Sequence, residues 1–139
     1  MADPVRRVDY YYATVPNRAG QGARILDTLR DEGVNLLAVH AFPEGNQSQI
    51  DFFPENPRAF LRAAKKAGMK VSPRRTAFLV EGKDRIGALA DVLRQLGDAK
   101  INVAATDAVA VGGGRYGAIV FVRRNDVNRA ARTLGAKKR

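Results

Sequence analysis

Apolar and polar positions along the chain follow two rhythms, and each rhythm occurs twice. Val8 to Val15 (VDYYYATV) is rich in aromatic and β-branched residues and predicts a strand, as does Arg75 to Glu81 (RTAFLVE). Turn-rich segments follow, Pro16-Asn17-Arg18-Ala19-Gly20 and Lys83-Asp84-Arg85-Ile86-Gly87, and both open into helical patterns. Leu89, Val92, Leu93 and Leu96 fall at i, i+3, i+4 and i+7, forming one apolar stripe; Ile25, Leu26 and Leu29 keep the same register in the first half. Gly33 and the Asp98-Ala99-Lys100 segment end these helices, and second strands begin over Val34–Val39 and Ile101–Ala105. Turns at Glu44–Gln47 and Gly112-Gly113-Gly114 lead into third strands over Ser48–Phe53 and Arg115–Val122. Second helices run from about Pro57 to Ala67 and from about Asp126 to Leu134, and Lys70-Val71 starts a short fourth strand in the first half.

This recurrence is a duplication. A shift of 67 positions carries Arg18 and Gly20 onto Arg85 and Gly87, Leu26 and Leu29 onto Leu93 and Leu96, Asn35 onto Asn102, and Arg62-Ala63-Ala64 onto Arg129-Ala130-Ala131. Without a gap, Tyr10 to Gly68 shows 14 identities in 59 positions, where chance gives on the order of 5 for an Ala- and Arg-rich chain. A period of this length means a duplicated domain rather than a solenoid. The reading is α+β: two ferredoxin-like β-α-β-β-α-β units, each an antiparallel sheet with its helices on one face, over residues 1–72 and 73–139. The tail Ala136-Lys137-Lys138-Arg139 is weakly strand-forming, so the second unit's fourth strand is expected to be short or absent.

Composition narrows the chemistry. The 139 residues carry 24 Lys and Arg against 14 Asp and Glu, a formal net charge of +10. The absence of Cys removes disulfides, thiolate zinc sites and cysteine nucleophiles, and a single His, His40, makes no His-rich metal site. No apolar run approaches the roughly 18 residues of a membrane span and no signal peptide is visible, so a cytoplasmic location without membrane association is expected. No carboxylate pair, nucleophile–base pair or metal-spaced cluster is evident; neither catalysis nor a cofactor is expected.

The loops carry a more specific likeness. Glu81-Gly82-Lys83-Asp84-Arg85-Ile86-Gly87-Ala88-Leu89-Ala90, followed by Lys100-Ile101-Asn102-Val103, resembles the pattern of ACT domains, small ligand-binding regulatory modules of amino-acid metabolism. Val15-Pro16-Asn17-Arg18-Ala19-Gly20 with Glu32-Gly33-Val34-Asn35-Leu36 repeats it, and the likeness spans about residues 8 to 135. Two departures stand out: Asn17 replaces the usual Asp, and Gly22 stands where a bulky apolar residue is usual. The resemblance implies a tandem, stand-alone ACT protein that binds a small molecule, commonly an amino acid, at domain interfaces. It also implies a homodimer and a regulated enzyme or other protein as partner.

The residues agree with such a site. Gly20 and Gly87 let backbone approach a ligand, and a helix N-terminus offers N–H donors to a carboxylate. Arg18 and Arg85 suit an anion; Asn35 and Asn102 supply both a donor and an acceptor. Asn17, Ala19, Asp84 and Ile86 complete the candidate ligand set. Blander roles compete: Asn17 and Asp84 as helix caps, the arginines as solvated charges, the glycines as turn formers, His40 as a half-buried strand residue.

Two other readings are weaker. Gly20-Gln21-Gly22 lacks the third glycine of a dinucleotide fingerprint, at Ile25. The shared β-α-β-β-α-β order and Arg115-Tyr116-Gly117-Ala118-Ile119-Val120-Phe121 faintly echo RNA-recognition motifs, which makes a basic nucleic-acid-binding protein the alternative. Arg62, Lys65, Lys66, Arg129 and Arg132 lie on helices, away from the strand face such a domain uses. Alternation within Tyr10-Tyr11-Tyr12 sends Tyr10 and Tyr12 to one sheet face and Tyr11 to the other.

Overall fold

The computed structural model describes residues 3–138; Arg139 of the basic tail lies outside them. The chain forms two compact units, one spanning Asp9–Arg75, the other running from Thr76 onward and taking in the chain before Asp9. The first unit is built from β1 (Val5–Pro16) from Asp9 on, α1 (Gln21–Asp31), β2 (Leu36–Glu44), β3 (Gln47–Pro54) and α2 (Pro57–Lys66). The second is built from β4 (Arg75–Lys83), α3 (Ala88–Asp98), β5 (Val103–Gly112), β6 (Arg115–Val122) and α4 (Val127–Leu134). Strand order is β2-β3-β1 in one and β4-β6-β5 in the other, and the pairs β1–β3, β2–β3, β4–β6 and β5–β6 are antiparallel. The fold is α+β, with two ferredoxin-like units.

Period-two alternation makes one face of each sheet apolar, and the helices cover it. In the first unit Tyr11, Ala13, Ile50 and Phe52 meet Leu29, Phe60 and Ala63. Phe60 is the centre: its ring lies 5.4 Å from Tyr11 and 5.3 Å from Phe52. In the second unit smaller residues do the same, with Phe78, Val80, Ala118 and Val120 against Val92, Leu96, Val127 and Ala130. Tyr10 turns to the other face of its sheet and stacks on Phe53 at 4.9 Å. Tyr12 lies under the Arg75 guanidinium, 5.2 Å from its ring centre.

Helix ends repeat atom for atom. Val34 N–H donates to the Leu29 carbonyl and Ile101 N–H to the Leu96 carbonyl, each at 2.9 Å. Met69 bonds to Ala64 and Ala136 to Ala131 in the same way, also at 2.9 Å. These closures need a left-handed residue, supplied by Gly33, Gly68 and Gly135, but by Lys100 (φ 63°) at the end of α3.

The 67-residue shift breaks in one element. Tyr11 pairs with Phe52 and Ala13 with Ile50, while Phe78 pairs with Val120 and Val80 with Ala118. The third strands therefore correspond at a shift of 68, not 67. An irregularity in β5 between Ala110 and Gly112 accounts for the extra residue. The ungapped alignment would have set Phe52 against Ile119, on the wrong face, because a one-residue slip reverses every side chain.

The short fourth strand expected at Lys70-Val71 does not form; that segment is irregular. Pro73 has no N–H to extend a ladder. Instead Ser72 joins β1 at one residue, donating its N–H to the Tyr12 carbonyl at 2.8 Å and accepting from Tyr12 N–H at its Oγ, 2.9 Å. In the second unit, Lys137 makes a single parallel bridge to Arg6, with Arg7 N–H to Lys137 O at 2.8 Å and Lys137 N–H to Val5 O at 2.9 Å. Among the described residues no helix is long and apolar enough to cross a membrane.

Candidate functional site

The two loops that precede α1 and α3 share one backbone. Gly20 (φ 88°) and Gly87 (φ 80°) occupy the N-cap positions in the left-handed region, which disfavours any side chain there. Gln21 N–H bonds to Arg18 O and Ala88 N–H to Arg85 O; Arg24 N–H bonds to Gly20 O and Asp91 N–H to Gly87 O. The glycine caps also correct one reading: neither Asn17 nor Asp84 caps its helix by a side-chain hydrogen bond. The Asn17 side chain instead accepts from Ser48 Oγ at 3.2 Å, and Asp84 N–H donates to Gly114 O at 2.9 Å.

Around these matched backbones the charges differ. Arg85 Nη1 lies 2.9 Å from Asp91 Oδ2, and Arg94 holds the other Asp91 oxygen at 2.8 Å. Hydrogen bonds from Arg94 and then Arg85 hold the Asp91 carboxyl below its usual value. In the first unit the residue at the Asp91 position is Arg24, and the first turn of α1 has no acidic residue. Among the described residues Arg18 and Arg24 have no carboxylate within ion-pair distance.

Asp84, Arg85 and Gly87 line one cleft of about 290 Å³, closed by Ala88, Ala108 and Tyr116. Ile86 projects fully into solvent beside it, and Ala19 is exposed at the matching position of the first unit. The asparagines lie elsewhere. Asn35 follows the far end of α1, so an 11-residue helix, roughly 16 Å long at 1.5 Å per residue, separates it from Arg18 and Gly20. It lines a different cleft, of about 460 Å³, with Leu26, Arg30 and Leu36. Asn102, exposed, stands beyond the far end of α3 in the same way. Within a unit, then, loop and asparagine are not brought together.

Four residues outside the candidate ligand set belong to the surroundings of Arg85: Asp3, Gly82, Asp91 and Tyr116. Tyr116 Oη donates to Asp3 Oδ2 at 2.6 Å, and Arg85 Nη2 stands 4.0 Å from that oxygen. Gly82 was the available signal, since a glycine inside a strand often marks close approach of another group. His40 is a half-buried strand residue with Nδ1 2.9 Å from Asp51 Oδ2. The third-strand aromatics an RNA-binding sheet needs are buried here: Phe52, Phe53, Tyr116 and Phe121 are each under 8% exposed.

No family model matches the sequence, and no curated protein matches it in sequence. Solved structures do share the fold. Protein BT0572 from Bacteroides thetaiotaomicron superimposes with a TM-score of 0.81 at 15% identity, over 94% of this chain and 88% of that one. The regulatory subunit of aspartate kinase from Thermus thermophilus, in its ligand-free form, gives 0.64 at 14% identity over 97% and 95% of the two chains. The corresponding subunit from Thermus flavus gives 0.63 at 15% identity over 97% of each. At these identities the likeness establishes the fold alone.

Proposed function

We propose that the chain is a tandem ACT-type regulatory protein without catalytic activity. It binds a small carboxylate-bearing metabolite, an amino acid, and acts through association with a protein partner or a second copy of itself. The observation that carries this reading is the duplicated loop: left-handed glycine, exposed helix N-terminus and arginine recur with the same backbone hydrogen bonds. Helix N–H groups and a guanidinium together favour a carboxylate. Structural neighbours that are regulatory subunits of aspartate kinase support the same reading. The mechanism is linkage: a ligand with different affinities for two arrangements shifts their populations, and the partner reads the shift.

A thermal-shift panel of the amino acids tests it. One member at about 100 times its dissociation constant stabilises the protein by roughly 2.7 kcal/mol. If every amino acid leaves the melting temperature unchanged, the reading fails. A basic nucleic-acid binder would instead bind RNA or DNA with an affinity that collapses with salt.

A further inference from the structure

Asp3 stands two residues before β1 in a nearly closed environment. Its side chain is only 11% exposed although it lies near the start of the chain. Its Oδ2 accepts the short hydrogen bond from Tyr116, whose ring is buried on the helix-covered face of β6. The Arg85 guanidinium approaches the same oxygen at 4.0 Å. Beneath it Gly82 leaves the space open: a Cβ there would stand 2.5 Å from both Asp3 Cγ and Oδ1. The segment is seated by backbone bonds as well, Glu81 N–H to Pro4 O at 3.2 Å among them.

The first unit has no counterpart. Val15 stands at the Gly82 position and Ser48 at the Tyr116 position, as the strand pairings align them. Lys70 stands at the position of Asp3. The fold alone does not demand this arrangement, because the same fold exists without it next door. Room, a phenol donor and a guanidinium converge on one carboxylate, and only in the second unit.

We infer that Gly82, Tyr116 and Arg85 form a carboxylate receptor that the chain's own Asp3 fills, so that a free carboxylate binds there by displacing the N-terminal segment. This rests in part on the reading of these loops as ligand sites, and it adds the occupant and the regulation. Open space flanks Arg85 on two sides: the cleft of about 290 Å³ by Ala88 and Ala108, and another of about 290 Å³ by Val92 and Gln95. The first is walled by Leu89, Val109 and Ala110, which suits a short aliphatic body attached to the carboxylate. An intramolecular carboxylate acts as a competitor at an effective concentration of order millimolar. Ligand entry therefore requires only the residues before β1 to move aside, while Val5 stays packed in the second core.

Tyr116 reports on occupancy. Burial first, then the hydrogen bond and charge of Asp3, push its phenol up to about 12 from an ordinary 10.0. Asp91 and Arg85 also face it, the first raising and the second lowering it. Because the folded value is raised, the stability it confers is present below pH 10 and lost as pH rises from about 10 to about 12.

The test uses Asp3→Ala and the gentler Asp3→Asn, with acetate and isobutyrate as probes at constant ionic strength. Both carboxylates should raise the melting temperature of each variant saturably, at concentrations that leave the wild type unchanged. Ultraviolet titration should show the Tyr116 midpoint falling in Asp3→Ala and rising again with acetate. Equal acetate responses in wild type and both variants, or a Tyr116 midpoint indifferent to Asp3, would overturn the inference. Rescue by acetate alongside a silent amino-acid panel on the wild type would retain the receptor and remove the amino-acid reading; the opposite pattern would do the reverse.

Discussion

The two loops before α1 and α3 are copies in backbone and differ in charge. Gly20 and Gly87 adopt the same left-handed conformation and the same pairs of backbone hydrogen bonds follow. Around them, Arg85 is compensated by Asp91 and faces Asp3, whereas Arg18 has Arg24 for its neighbour in the repeat. Backbone geometry answers to helix entry and sheet packing, which both units must satisfy. Exposed charges answer to neither, so they diverge first. The lesson is that a duplicated loop backbone does not imply a duplicated charge environment: Arg85 is compensated by Asp91, while Arg18 has no such carboxylate beside it.

Substitutions at matched positions test how far the equivalence goes. The largest effect belongs to the cores. Phe60 and Val127 occupy the same place in the repeat, both buried. Phe60→Ala should cost about 3–5 kcal/mol, and Val127→Ala less, because less volume is removed and Phe60 also packs against the rings of Tyr11 and Phe52. Urea midpoints measure both; equal losses would mean that the second core depends on Val127 as heavily as the first on Phe60. Next come the caps. Gly20→Ala and Gly87→Ala should each cost about 1–3 kcal/mol and by similar amounts, since a side chain is strained at these angles. A marked inequality in thermal denaturation would separate backbones that look identical. The smallest effect is at the ends of α1 and α3: Lys100→Gly should stabilise by about 1 kcal/mol, matching what Gly33 already provides.

Much of this was legible in the sequence. Local pattern gave the ten strands and helices in order, because alternation and helical spacing are properties of contiguous residues. The duplication located both loops. Two features were hidden for distinct reasons. The irregular residue in β5 shifts β6 by one, and glycine-rich sequence around it offers no side chain to mark which residue is extra. The Asp3–Tyr116 contact joins residues 113 positions apart, and no periodicity encodes such a pairing. The asparagines illustrate a third case: Asn35 and Asn102 are adjacent to the loops in motif but stand beyond the opposite ends of their helices.

The central claim is the inequivalence of two matching loops, and an acetate titration of the isotope-labelled wild-type protein by amide NMR tests it most directly. With ionic strength held by chloride, the account predicts saturable shifts at the Gly20 and Gln21 amides while those of Gly87 and Ala88 stay in place. Gly87 and Ala88 moving in step with Gly20, or ahead of it, would contradict the account.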